Sequence, residues 1–258
     1  MSLPKHGHPS TPSNLVALTS VQGIRDPSLS WNSATQEAEY LIYSIFFQAV
    51  FSRLGNVACL AGPVIYARLD SLLKVWDNYI EDGAGQHSTL YEHWLHTFGE
   101  DRHLTQYLAA EFGPGATAVH TGVVSETEPA PSLRNLLVQR KRWFLGTVST
   151  EAAYLSSAAF WSSTPLLSAW RLCKPAVVPD TQMLAVVAEL AVLRKGWPQA
   201  LFIMVLSFLL ADVAILSTFK VVRPRVGLGT CVLGRLVAPF VTSLSIFWAL
   251  LSLKDRHW

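Results

Sequence analysis

The chain has 258 residues, half of them hydrophobic and only 15% charged, with a mean hydropathy of +0.30, a more apolar balance than a typical soluble domain carries. Its formal net charge of +2, with 20 Lys and Arg scattered along the chain, provides no basic stripe for nucleic acid, and no nucleic-acid partner is expected. Cys59, Cys173 and Cys231 are too far apart for a paired disulfide framework or a Cys-x-x-Cys metal site, and fit a reducing cytosolic or membrane setting.

The opening MSLPKHGHPSTPSN has neither the basic region nor the apolar core of a secretory signal peptide, so membrane insertion is expected to use internal segments. Residues 1–33 hold turn formers and few periodic apolar positions, which predicts a loosely ordered segment with order beginning near Ala34. From Ala34 to Leu54 good helix formers and apolar residues on nearly all sides predict a buried helix, stopped at Gly55. NVACLAGPVIYAR then predicts a short buried strand, a Gly-Pro turn and a second extended piece.

A helix is expected over Asp70 to Ile80, followed by the loop EDGAGQHS, and another over Arg102 to Phe112, ended by Gly113, Pro114 and Gly115. The Val, Thr and Ala of Ala116 to Val124 predict a strand, and SETEPAPS a turn. A helix beginning at Ser132 carries Leu133, Leu136, Leu137, Arg140 and Trp143 at three-to-four-residue spacing, an amphipathic pattern suited to a membrane surface.

Residues 198–219 are apolar over the length a bilayer core requires, about 20 residues of helix. Residues 230–253, interrupted by Gly234, Arg235 and Pro239, are a second candidate span, and 183–193 a shorter apolar stretch, so two or three spans are expected. Basic residues flank every span, at Arg194 and Lys195, at Lys220, Arg223 and Arg225, and at Lys254 and Arg256, so charge bias leaves the topology open. Asp212 inside the first span is costly if ionised, and either hydrogen-bonds within a bundle or serves a pathway.

Two short segments carry candidate chemistry. Gly99-Glu100-Asp101 offers carboxylates at the start of a helix, either as a general base or as helix caps. In Gln139-Arg140-Lys141-Arg142-Trp143, an arginine can clamp phosphate oxygens and the indole can stack on a sugar ring. Alternatively, the run is a basic juxtamembrane helix anchored by an interfacial tryptophan.

Together these segments resemble the chitin synthases, within the processive inverting glycosyltransferases that include cellulose and hyaluronan synthases. LGNVACLAGPVIYAR is similar to that family's Val-Thr-Cys-Leu-Pro-Gly-Cys run ending in Tyr-Arg, with Cys59, Leu60, Gly62 and Arg68 in register. GEDRHLT resembles its Gly-Glu-Asp-Arg segment, and QRKRWFLGT differs from Gln-Arg-Arg-Arg-Trp mainly at Lys141. The likeness runs from about Gln36 to the end of the chain, where Lys254 to Trp258 resembles the approach to a Trp-Gly-Gly-Pro-Arg type switch motif.

The resemblance implies an α/β fold: a partial GT-A-like glycosyltransferase domain, then an interfacial amphipathic helix and two or three transmembrane helices. The expected organisation is a loose segment at 1–33, the acceptor-side half-domain at 34–131, interfacial helices carrying QRKRW at 132–176, and a membrane region at 177–258. It also implies transfer of N-acetylglucosamine from its UDP sugar to a β-1,4 polymer by a multi-pass protein, in the plasma membrane with its catalytic part cytosolic. Asp101 would be the base, and Glu100, Gln139, Arg140, Arg142, Trp143, Cys59 and Gly62 would bind substrate.

The expected partners are the UDP sugar, the growing polysaccharide, the lipid bilayer and a full-length synthase. The family uses a divalent cation, Mg or Mn, at an Asp-x-Asp site that should precede Gln36, and this sequence contains no Asp-x-Asp. Ala61 and Pro63 replace the family's Pro and Cys. The expectation is a truncated synthase without its donor-binding half and with no metal ligands of its own. Its alternatives are an inactive remnant or partner subunit of a full-length synthase, and a small membrane transporter or scaffold suggested by Asp212 and Arg235.

Overall fold

The β-strand Ala17–Ile24, β1, is the centre of a three-stranded sheet of order β2-β1-β3. It comes from a computed structural model that describes residues 14–61, 63–84, 97–156 and 228–252. Strand β2, Ile65–Ala67, pairs antiparallel to β1 with Leu18 opposite Tyr66. Strand β3, Thr117–Thr127, runs parallel to β1, and its register jumps from His120 to Val124 between Ser20 and Val21.

This arrangement corrects the expectation that residues 1–33 are loosely ordered, at least from residue 14 onward. Ala17, Val21 and Ile24 of β1 are buried. Turn formers surround the strand, but LVALTSV within them has the apolar and β-branched content of a buried strand.

Helix α1, Trp31–Leu41, continues through a π-helical stretch, Ile42–Gln48, into α2, Ala49–Leu54. The predicted continuous helix is therefore present, with one wider-wound section, and it stops at Gly55, whose φ of 139° favours glycine. Its buried Gln36 accepts the backbone N–H of Ala130, and Asn32 donates to the Ala130 carbonyl, so α1 fixes the turn before the fifth described helix.

The predicted buried strand in NVACL does not form. Residues 57–60 are a buried loop whose backbone groups are satisfied mainly by side chains. The Gln48 amide donates to Cys59 O at 2.6 Å and accepts from Ala58 N at 3.2 Å. Thr105 Oγ1 accepts from Leu60 N at 2.7 Å, and the Thr117 hydroxyl and carbonyl both lie within reach of Val57 N. These bonds replace a ladder, because a buried backbone must be paired somewhere. Gly62, expected to bind substrate, lies outside the described residues.

Helix α3, Leu69–Ala84, contains the helix expected over Asp70 to Ile80 and continues through residues 81–84, the start of the expected EDGAGQHS loop; helix α4, Glu100–Phe112, begins two residues before the expected Arg102 and ends at Gly113 with a φ of 75°. Val16, Ala17, Val57, Leu60, Val75, Leu108 and Ala116 form a core that joins sheet, loop, α3 and α4. Helix α5, Leu133–Leu155, carries QRKRW, and helix α6, Leu228–Leu251, packs along it: Ala130 and Leu136 meet Val241, and Phe98 and Leu145 meet Ala249.

One side of α5 packs inward through Leu136, Arg140, Lys141 and Leu145, while Leu133, Trp143 and Val148 are exposed. Among the described residues no helix is long and apolar enough to cross a membrane. The stretches 183–193 and 198–219, with Asp212, lie outside them, and the 230–253 candidate coincides with α6.

Candidate active site

Helix α4 begins at Glu100, with Gly99 as its N-cap residue, so Glu100 and Asp101 occupy its first turn. Carboxylates there are stabilised by the positive end of the helix dipole. Asp101 Oδ1 accepts the Arg102 N–H at 2.7 Å, while its Oδ2 has no hydrogen bond among the described residues. The Asp101 carbonyl accepts from the Thr105 hydroxyl at 2.6 Å, and that same hydroxyl accepts from Leu60 N. Thr105 thereby ties the GED turn to the Cys59 loop.

Helix α5 brings the second segment to this turn. An α-helix rotates about 100° per residue, so Gln139, Arg142 and Trp143 share one face, Arg140 flanks it and Lys141 points away. Arg142 is exposed, its guanidinium 5.8 Å from the Phe98 ring just before the GED turn. Burial pushes the Glu100 carboxyl above its ordinary value; Asp101 pushes the same way and Arg142 pulls against both. The two sequence-nominated segments therefore approach each other at Phe98 and Gly99, where Arg142 and Gly146 of α5 lie against the start of the GED turn.

Arg140 is turned elsewhere. Its Nη2 is 2.5 Å from Glu39 Oε2 on α1, and its guanidinium lies 4.3 Å from the Trp143 ring and 5.7 Å from Tyr40. It is 8% exposed, whereas Trp143 is 41% exposed. Gln139 Oε1 and Arg140 Nη1 are buried without a hydrogen-bond partner among the described residues, an acceptor and a donor on neighbouring positions.

Lys141 is 1% exposed, with Nζ 5.1 Å from the Trp248 ring of α6, so the motif's middle residue joins two helices. Cys59 is buried in the loop, with its carbonyl held by Gln48. Burial alone would lower the Arg102 guanidinium, but the surrounding Tyr43, Cys59, Asp101 and Glu151 outweigh it and raise the value.

Sequence reasoning missed Glu39, Tyr40 and Tyr79. Tyr79 on α3 donates to the Glu100 carbonyl at 3.4 Å, and its phenol is raised by burial and then by Glu100 and Asp101. The adjacent Glu-Tyr pair on a buried helix was the only available signal for the first two.

Among the described residues no group of three or more His, Cys, Asp or Glu could hold a metal ion.

No protein-family model matches the chain. It is 30% identical over 190 residues to chitin synthase 6 of Gibberella zeae, covering 72% of this chain and 24% of that protein. It is 29% identical over 160 residues to chitin synthase D of Aspergillus fumigatus, covering 62% and 22%, and 27% identical over 189 residues to chitin synthase 7 of Pyricularia oryzae, covering 73% and 23%. The chain spans about a quarter of the length of these curated relatives. Its mixed α/β structure with a small three-stranded sheet fits a partial glycosyltransferase domain. Over most of its length, then, the chain is a chitin-synthase-like region.

Proposed function

We propose that this chain is the acceptor side of a membrane glycosyltransferase of the chitin-synthase type, which moves N-acetylglucosamine from its UDP sugar to a β-1,4 polymer. The supporting observation is the approach of the QRKRW helix to the turn that carries Glu100 and Asp101: the Arg142 guanidinium lies 5.8 Å from the Phe98 ring, and Gly146 packs against the Phe98 carbonyl and Gly99 N. The acceptor hydroxyl oxygen attacks the anomeric carbon as its proton passes to Asp101, and the sugar–diphosphate bond breaks with its electron pair leaving on UDP. Arg142, exposed beside this turn, is suited to the departing diphosphate, and the open face of Trp143 to the acceptor ring.

Donor binding falls to residues outside this sequence, which has no Asp-x-Asp. Membrane attachment, with the site on the cytosolic side, rests on the apolar stretches 183–193, 198–219 and 230–253. A second reading, a subunit that docks on a full-length synthase, is favoured by the sheet: among the described residues β3 pairs only with β1, and His120 through Val124 are exposed.

The test measures incorporation of labelled N-acetylglucosamine by membranes holding the full chain, alone and with a co-expressed full-length synthase. Acceptor-side catalysis expects Asp101→Asn to lower incorporation due to this chain by about 100-fold or more. Incorporation indifferent to Asp101→Asn overturns that role, and stimulation of the synthase that survives the change supports the docking subunit. In parallel, calorimetric titration with chitooligosaccharides asks whether the chain has an acceptor site at all.

A further inference from the structure

The resemblance assigns no role to Glu39 on α1, yet this residue holds the motif's first arginine. Its carboxylate meets Arg140 Nη2 at 2.5 Å. A guanidinium as deeply buried as this one keeps its place only if its charge is paired. So paired, Arg140 lies against the indole of Trp143 at 4.3 Å, and the buried Tyr40 ring stands 5.8 Å from the same indole. Arg140 and Tyr40 thus brace the indole on the protein side, and its exposed part remains open.

We propose that Glu39 is a positioning residue for an acceptor sugar: by pairing with Arg140 it holds the guanidinium against Trp143 and so sets the plane on which a pyranose ring stacks. The ligand class is a sugar with an apolar C–H face, such as an N-acetylglucosamine oligomer. The sugar rests on the proposed function above, whereas the relay from Glu39 through Arg140 to Trp143 rests on the contacts alone.

The experiment uses the full chain in detergent or nanodiscs, with three readouts. They are the thermal midpoint, the affinity for chitooligosaccharide, and the emission and acrylamide quenching of Trp143, isolated by subtracting the matching Trp143→Phe protein. Glu39→Gln is expected to make Trp143 more accessible to quencher and to weaken oligosaccharide binding about three- to tenfold, the scale of one cation–π contact.

The charge-swapped double variant Glu39→Arg/Arg140→Glu separates positioning from simple interhelix attachment. It can rebuild the ion pair but puts a carboxylate where the ring needs a cation. The midpoint is expected to recover while the Trp143 signal and the affinity do not. Recovery of all three, or a Glu39→Gln protein whose Trp143 signal and affinity match wild type, overturns the proposal. If the wild-type chain binds no chitooligosaccharide while Glu39→Gln still moves the Trp143 signal, the relay stands and the acceptor role, with the proposed function, falls. Should Glu39→Gln not fold, the double variant decides alone.

Discussion

Gly146 of α5 sits so close to Phe98 that a Cβ there would stand 2.1 Å from the Phe98 carbonyl oxygen and 3.0 Å from Gly99 N. This contact lets the helix carrying QRKRW reach the turn carrying Glu100 and Asp101. The obstructing atoms are backbone, which cannot swing aside as a side chain would.

Gly146→Ala is therefore expected to push α4 and α5 apart. Overpacking of this kind costs about 1–3 kcal/mol, partly offset by the better helix propensity of Ala. A thermal melt should show a lower midpoint, and the Glu100 carboxyl should titrate higher as the pull of Arg142 weakens. An unchanged midpoint with an unchanged Glu100 titration would show that the two helices do not need this approach.

Glu100 makes stability depend on pH in a definite direction. Burial first, and then Asp101, raise its carboxyl above the ordinary 4.5, so the folded chain binds this proton more tightly than the unfolded chain. Glu100 therefore lowers stability as pH rises from about 4.5 through the raised folded value. Glu100→Gln removes that cost, and its stability relative to wild type should grow between acid and neutral pH. Melting both proteins from pH 4 to pH 8 checks this; parallel curves would count against it.

Arg142 opposes that shift, so removing its charge should have a visible sign. In Arg142→Gln the Glu100 carboxyl is expected to titrate higher than in wild type, followed by carbon-13 NMR of labelled glutamate. A lower or unmoved titration would place Arg142 away from the GED turn.

The Gln48 amide holds two backbone groups of the Cys59 loop. Gln48→Leu removes the amide bonds to Cys59 O and Ala58 N in a buried setting, at about 0.5–1.5 kcal/mol for each hydrogen bond lost. The midpoint should fall, and Cys59, buried in the native chain, should react faster with a thiol probe. Unchanged labelling would mean that the loop holds without Gln48.

The sequence by itself determined that helices lie over 70–80 and 102–112, that another begins near Ser132, and that a strand follows Gly115, because periodicity and glycine stops are local signals. It also nominated Glu100, Asp101, Gln139, Arg142 and Trp143 as residues worth bringing together, since helix spacing alone puts the last three on one face. Only the tertiary structure decided that Ala17–Ile24 is the central strand, because its partners lie some 50 and 100 residues onward. It decided equally that Val57 to Leu60 is a loop, because the groups that pair its backbone are side chains from α4, β3 and the π-helical stretch. Within QRKRW, the five residues differ in fate because of what packs around α5: Lys141 turns to Trp248, Arg140 to Glu39 and Arg142 toward Phe98. Such partners come from distant segments, and no local pattern in the motif encodes them.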